Sequence, residues 1–378
     1  MLRKNFYVDD MLKSVADIST AKTLACAVQQ ICAKGGFHLT KFVSNSQEVL
    51  ASIAESDRAK NTVNVNLSQT TVPFERALGV YWCVENDTLG FRIILKDRPL
   101  TRRGVLSTIS SIYDPLGLVA PFLLKGKRLL QHLCNIHLDW DQQIEGEERA
   151  VWEQWRTCLP LLETIVIPRC YKPSGFNHVS AELHHFCDAS QSGYGQCSYV
   201  RLVNADGQVH CSLVIGKSRV TPAKSVTIPR LELTAATVSV RISRMLEREM
   251  QYENLTSTYW TDSKAVLGYI NNEARRFHTY VANRVQLIRD SSDTAAWNYI
   301  ESETNPADDA SRGLDCSSVV SQHRWFDGPS FLWKSRDHWH SQSALEPLSQ
   351  CDPEVKKRVT VCVLYIQLPV SVRQLINC

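Results

Sequence analysis

Four carboxylates stand at four boundaries of one readable βαβ pattern between Ala181 and Gly313: Asp188, Glu232, Asp262 and Asp308. Asp188 ends the strand-like run Leu183-His184-His185-Phe186-Cys187, and Asp262 closes a second one, Ser257-Thr258-Tyr259-Trp260-Thr261. Glu232 lies in the first turn of a helix opened by Ile228-Pro229-Arg230-Leu231, and Asp308 follows Asn305-Pro306-Ala307 at a helix start. Carboxylates beyond strand ends and in early helical turns can converge on one edge of a sheet, where they repel unless a cation sits among them. An all-oxygen donor set with few histidines suits Mg2+ or Mn2+ better than zinc. Singly, each aspartate is more often a helix cap or turn residue. The chemical reading rests on four in register with one β-β-β-α-β-α-β-α pattern.

The elements that must position them are legible in turn. After the first strand come a second over Gly193 to Val200, the turn Asn204-Ala205-Asp206-Gly207 and a third strand over Gln208 to Ile215. The spacing predicts a long helix from Thr227 to Met250, buried through Leu231, Leu233, Ala235, Val238, Ile242 and Met245. Further helices are expected over Lys264 to Asn271 and Phe277 to Arg289, with a last strand at Trp297-Asn298-Tyr299-Ile300. The small residues Ala189, Ser190, Ser192 and Gly193 leave room for a backbone or a phosphate beside Asp188. The His184-His185-Phe186-Cys187 group is the nearest thing to a soft metal-ligand set. On a strand its side chains alternate faces, which reads as core and surface.

Before this region, Asn5-Phe6-Tyr7-Val8-Asp9-Asp10-Met11-Leu12 is an apolar run broken by two adjacent carboxylates. Helical spacing over Ser14 to Ala33 stops at Gly35-Gly36, and Phe37 to Val43 alternates as a strand. Leu78 to Trp82 and Phe91 to Leu95 read as strands around a turn at Glu85 to Gly90. Helices are expected from Thr101, over Pro121 to Cys134, and over Glu147 to Leu162 with Trp152 and Trp155. Lys125, Lys127, Arg128, Arg102 and Arg103 are candidates to follow a phosphate backbone, with a solvated helix face as the alternative.

A chain of 378 residues suits two or three domains, and 44% hydrophobic residues suffice for packed cores. Net charge is only +3, so nucleic-acid binding has to come from local patches. Thirteen cysteines without a CxxC pair point to reduced thiols inside a cell. No secretory signal is legible, and the apolar run Val359 to Val370 is shorter than the ~20 residues of a membrane span and reads as a strand. A soluble protein without membrane attachment is expected.

Phe186-Cys187-Asp188-Ala189-Ser190, Ile228 to Leu233, Trp260-Thr261-Asp262-Ser263 and Asn305 to Gly313 resemble the ribonuclease H domain of retrotransposon Pol polyproteins, above all the BEL/Pao class of LTR retrotransposons. The resemblance implies an α/β fold with a five-stranded mixed sheet and flanking helices, and hydrolysis of the RNA strand of an RNA–DNA hybrid. By motif position Asp188, Glu232, Asp262 and Asp308 would bind two Mg2+ or Mn2+ ions, while the neighbouring Asp309 is set aside because the family's aspartate directly follows Asn-Pro-Ala. Relatives often carry a histidine in the preceding loop; Glu301-Ser302-Glu303-Thr304-Asn305 has none, and His278 on the neighbouring helix is a remote substitute.

The rest of the chain resembles the same polyprotein. Tyr7-Val8-Asp9-Asp10 is similar to the hairpin of reverse transcriptase palms, which implies that Asp9 and Asp10 help to hold metal ions. The domains implied are the end of an α+β palm over residues 1–70, a thumb or connection over 71–175, the ribonuclease H-like domain over 176–315, and a linker toward a missing integrase over 316–378. The connection carries the family label Pao retrotransposon peptidase, yet no Asp-Thr/Ser-Gly loop is present, so an aspartic peptidase is poorly supported. Only about four residues precede the run from Asn5 that carries the palm-like hairpin, so an incomplete polymerase module with no primer extension is expected.

The expected partners are an RNA–DNA hybrid and the remaining Pol domains, fingers and palm and integrase, in cytoplasmic element particles and in the nucleus. Beside the carboxylates, Ser190, Gln191, Ser192 and Ser263 are candidates for 2′-hydroxyls, and Arg241, Arg244, Arg275 and Arg276 on the flanking helices for phosphates. The alternative is a nucleic-acid-binding remnant of a degraded element that folds without cutting.

Overall fold

The computed structural model describes residues 5–7, 9–59, 74–77, 80–250, 252–315, 318, 323–339, 348–349 and 351–356. The chain opens with an antiparallel hairpin, β1 (Phe6–Tyr7) and β2 (Asp10–Met11), in which Tyr7 pairs with Asp10. Helix α1 (Ile18–Lys34) starts where the Asp17 carboxylate accepts from Thr20 N, and α2 covers Gln47–Ala51. The strand expected over Phe37 to Val43 is not formed. Phe42 alone bridges to Arg58, and Phe37 is 72% exposed, so the alternation finds no partner strand among the described residues.

Strands β3 (Phe74–Ala77), β4 (Val80–Cys83) and β5 (Thr88–Gly90) make an antiparallel sheet, and β6 (Val166–Pro168) joins it beside β5 much later in the chain. The strand expected at Phe91 to Leu95 ends before it begins, because the chain leaves the sheet after Gly90. Phe91, Ile93 and Leu95 instead pack without regular structure against a helical core. That core is made by α3 (Arg102–Ser111), capped by the Thr101 side chain, with α4 (Ala120–Asn135) and α5 (Gly146–Cys158). Trp155 stacks on Phe122 at 5.1 Å, and its indole N–H donates to the Phe122 carbonyl at 3.2 Å.

Five long-range strands follow: β7 (His178–Ala189), β8 (Gly193–Asn204), β9 (Val209–Val220), β10 (Thr256–Thr261) and β11 (Trp297–Tyr299), in the order β11-β10-β7-β8-β9. β7 pairs antiparallel with β8 and parallel with β10, which makes it the central strand of a mixed sheet. The helices are α6 (Ile228–Glu249), α7 (Lys264–Asn271), α8 (Thr279–Arg289), α9 (Ala307–Arg312) and α10 (His323–Asp327). On α6 the apolar stripe runs through Leu246; Met245, expected in the core, is 37% exposed.

Both faces of the sheet are covered. Cys187 and Tyr259 pack with α6, α7 and α8 on one side, while Phe186, Tyr199 and Trp260 pack with α9, Leu118 and Trp325 on the other. His184 and His185 are therefore both fully buried, and neither is the surface residue that alternation allowed. His184 Nδ1 accepts from Trp260 Nε1 at 3.2 Å, so Nε2 carries the proton toward Glu182, also at 3.2 Å. Residues 323–339, read from sequence as linker, contribute to the core: Trp325 is 0% exposed and donates to the Leu118 carbonyl at 2.8 Å, and Phe331 and Leu332 are buried. Arg201 binds the Leu332 and Lys334 carbonyls and, together with Arg336, the Glu182 carboxylate, which ties this segment to the sheet. Leu78 and Gly79 of the first expected strand, Lys357, Arg358 and the run Val359 to Val370 lie outside the described residues. No helix among the described residues is long and apolar enough to cross a membrane, and their cysteines are free thiols.

Candidate active site

Asp188 is the penultimate residue of β7 and pairs with Gly195, so the strand runs past it rather than ending before it. It shares a strand face with His184 and Phe186, the face that carries α9. Asp262 lies in the bend between β10 and Ser263, the N-cap of α7. Glu232 is the fifth residue of α6, one turn further in than expected. These three carboxylates line one cleft of about 460 Å3, together with Ala189, Ser190, Gln191, Ser192, Ile228, Ser302 and Arg312.

Asp308 is the second residue of α9 and does not line that cleft; its Oδ1 accepts from Arg312 Nε one turn on. It still lies close enough to act on Asp188 electrostatically. Asp309, set aside on sequence grounds, is buried and paired with Arg324 at 2.5 Å, a structural clamp between α9 and α10.

Two hydroxyls orient the cleft carboxylates. Ser311 Oγ donates to Asp188 Oδ2, and Ser263 Oγ donates to Glu232 Oε2. Burial, reinforced by Asp262, pushes the Asp188 carboxyl up to about 7 despite the bond from Ser311. Burial also raises Glu232, and Asp262 adds to the rise. Asp262 Oδ1 is buried and has no hydrogen-bond partner.

That orphaned oxygen and the mutual repulsion are what an oxygen-ligated cation relieves, so the donor set fits Mg2+ or Mn2+. As the side chains lie, no three His, Cys, Asp or Glu groups among the described residues close on one point. The reason is visible in the bonds: Asp188, Glu232 and Asp308 are each engaged by a protein donor.

The residues expected to touch substrate divide. Gln191 is exposed at the cleft and Ser192 lines it. Ser190 also lines it, but its hydroxyl is spent inside the protein, donating to the Ser311 carbonyl at 2.8 Å and accepting from Ser192 N at 3.0 Å. Ser263 is likewise committed to capping α7 and holding Glu232. The room expected beside Gly193 is filled by protein: a Cβ there would meet the Ser311 carbonyl oxygen at 2.9 Å and Leu124 Cδ2 at 3.0 Å.

Arg275 and Arg276 lie in the loop between α7 and α8 rather than on a helix, and neither lines the cleft. Arg275 Nη1 donates to the Ser349 carbonyl at 2.9 Å, and the Arg276 carbonyl accepts from Lys356 N at 2.8 Å. Arg244 binds the Asp290 carbonyl, and Arg241 is exposed on α6. His278 is the exposed N-cap of α8 and is not a cleft residue. Asp9 and Asp10 are exposed on the first hairpin, also outside the cleft.

Sequence reasoning missed two cleft residues. Arg312 was legible as the cation one turn after Asp308 in the same short helix, and Ser302 sits in the loop already searched for a histidine.

The Pao retrotransposon-like RNaseH-like domain family matches residues 101–263. The match includes Asp188, Glu232 and Asp262 and begins at the Thr101 cap of α3, so a family described as RNaseH-like, not as a peptidase, covers much of the expected connection. Among solved structures, an N-terminal RNase H domain from Mycobacterium tuberculosis, fused to maltose-binding protein, is 12% identical, with 35% of this chain and 91% of that chain covered and a TM-score of 0.25. LC11-RNase H1, solved in complex with an RNA/DNA hybrid, is 10% identical, with 35% and 93% covered and a TM-score of 0.25. RNase H1 from the halophilic archaeon Halobacterium salinarum NRC-1 is 10% identical, with 34% and 89% covered and a TM-score of 0.21. No curated protein matches the chain. Residues 101–263 thus resemble the Pao retrotransposon-like RNaseH-like domain family, which is consistent with a fragment of a Pao/BEL retrotransposon Pol polyprotein.

Proposed function

We propose that this domain is a divalent-cation-dependent endonuclease that hydrolyses the RNA strand of RNA–DNA hybrids, as part of a retrotransposon Pol polyprotein. The observation that carries the reading is the cleft in which Asp188, Glu232 and Asp262 stand together with one carboxylate oxygen buried and unpartnered. Asp188, Glu232 and Asp262 would hold the ions, with Asp308 completing the set. Two bound Mg2+ or Mn2+ ions supply water activation and stabilisation of the departing 3′ oxygen.

The chain's own groups do the positioning. Ser311 and Ser263 each bind one carboxylate oxygen of Asp188 and Glu232 and so orient them at the cleft. Gln191, Ser192 and Ser302 present polar groups at the rim, where the 2′-hydroxyls that distinguish RNA from DNA can be read. A single buried metal-ligating oxygen is the sharpest point to test. Asp262→Asn keeps the shape of the cleft but weakens its hold on the cation. Cleavage of a labelled hybrid in Mg2+ should fall by at least about 100-fold, the upper end of what losing a mere outer-shell partner of a metal ligand costs, while hybrid binding persists. Undiminished cleavage by the Asp262→Asn protein, or equal cutting of duplex DNA, would sink the assignment; folded wild-type protein that binds the hybrid without cutting it would point to a non-catalytic remnant.

A further inference from the structure

We propose that Arg312 is a phosphate-responsive counter-ion: in the free protein its guanidinium holds Asp308 away from the cation site, and a phosphodiester entering the cleft draws it off and releases Asp308. The inference rests on the nuclease reading of the site and adds to it a reason why the carboxylates do not close on one point.

The geometry separates two adjacent aspartates on α9. Asp309 is 5% exposed in its side chain and is clamped by Arg324, whose guanidinium also binds the Glu303 carbonyl. That pair is fixed. Asp308 is 24% exposed, and its partner Arg312 is 64% exposed, lines the cleft and lies in the field of Asp188 and Asp262. An exposed pair at i,i+4 spacing is weak and exchanges readily. A guanidinium presents a fork of donors that matches two phosphate oxygens at once, so a phosphodiester competes for it on favourable terms.

While the pair is intact, the Asp308 carboxylate is engaged by Arg312 and does not line the cleft. Once Arg312 turns to a phosphate, the free carboxylate adds to the donor set of Asp188, Glu232 and Asp262. By linkage, a ligand that removes Arg312 from Asp308 raises cation affinity, and the cation raises affinity for that ligand by the same factor. Arg312 is thus a positioning residue for the cation through Asp308, and a contact residue for the backbone.

The test is Mn2+ binding to the substrate-free full chain by calorimetry, for wild type, Arg312→Gln, Asp308→Asn and the double variant, with unchanged melting temperature as the control for folding. Arg312→Gln should raise Mn2+ affinity on the order of tenfold, the scale of coupling between residues in contact. The gain should vanish in the Asp308→Asn background. A non-cleavable hybrid with a 2′-O-methyl RNA strand should raise Mn2+ affinity more in wild type than in Arg312→Gln. Arg312→Lys, which keeps the charge but loses the fork, should keep Mn2+ affinity low and respond less to the hybrid. An unchanged or lower affinity in Arg312→Gln, or an equal gain without Asp308, overturns the counter-ion role alone, provided Asp262→Asn still abolishes Mn2+ binding. Wild type that binds no Mn2+, or binding indifferent to Asp262→Asn, overturns the site reading and this inference together.

Discussion

Gly117 and Gly216 meet backbone to backbone: a Cβ on Gly117 would stand 1.9 Å from the Gly216 carbonyl oxygen, and Gly216 N donates to the Leu116 carbonyl at 2.8 Å. Gly117 also has φ +71°, a conformation that side chains with L chirality resist. This crossing seats the start of α4 on β9, and it is where the helical unit before the sheet becomes part of the same packed body. Gly117→Ala combines left-handed strain of about 1–2 kcal/mol with overpacking of about 1–3 kcal/mol. A loss of roughly 2–5 kcal/mol in denaturant-induced unfolding is expected, with reduced cleavage following the loss of folded protein. Wild-type stability in this variant would mean that the two units do not share one core.

Acid should destabilise the sheet from its centre. Burial, with a smaller push from His184, holds the His185 imidazole down at about 3, neutral against Tyr259 and the Ser198 hydroxyl. The unfolded chain takes up that proton below about 6.5. Its stabilising contribution is therefore complete above pH 6.5 and is lost as pH falls toward 3. Glu182 adds to the trend lower down: burial would raise its carboxyl, but His184, Arg201 and Arg336 hold it at about 2, so its contribution fades as pH drops from 4.5 to 2. The Asp188 carboxyl, raised to about 7, opposes this by taking up its proton in the folded state over the same range, so the histidine's share is read as a difference: from pH 7 to pH 4 the wild-type urea midpoint should fall more, or rise less, than that of His185→Phe. Parallel pH profiles for wild type and His185→Phe would contradict the buried neutral histidine.

Arg128 is expected to carry part of the nucleic-acid backbone. On α4 it stands one turn after Leu124, which packs beside Gly193, and three residues before Gln131, which donates to the Thr221 carbonyl at 2.5 Å. Thr221 in turn donates to the Gln191 carbonyl at 3.2 Å, at the rim of the cleft. Of the basic residues considered for this role, Arg102 and Arg103 are bound to the Leu138 carbonyl and Asp141, Lys125 is paired with Asp315, and Lys127 is held partly buried, whereas Arg128 is exposed with no ion-pair partner among the described residues. Arg128→Ala should weaken hybrid binding for every sequence alike and reduce the log–log salt slope by about one unit. An unchanged slope would remove α4 from the binding surface.

Local sequence determined most of the elements and brought forward the three carboxylates that line the cleft. Helix α7 occupies Lys264–Asn271, the span its spacing predicts, and the strand that bears Asp188 and the one that ends before Asp262 follow from alternation and β-branched or aromatic content. Such signals are local, since they arise from backbone propensity and from one face seeking burial. What no local pattern could decide was which distant group would meet each side chain.

Ser311 lies 123 residues from Asp188 and supplies its hydrogen bond, and Ser190, read as a substrate contact, spends its hydroxyl on the Ser311 carbonyl. Asp308 lies at the site's edge because Arg312 claims it, and Trp325, 207 residues after Leu118, turns an aperiodic stretch into core. Phe37 to Val43 has the alternation of a strand, but among the described residues only Phe42 finds a bridge, to Arg58, so no strand forms. Periodicity fixes which way a side chain points, whereas hydrogen-bond partners, burial and electrostatic field are set by residues brought together only when the sheet, α4 and α9 close on one another.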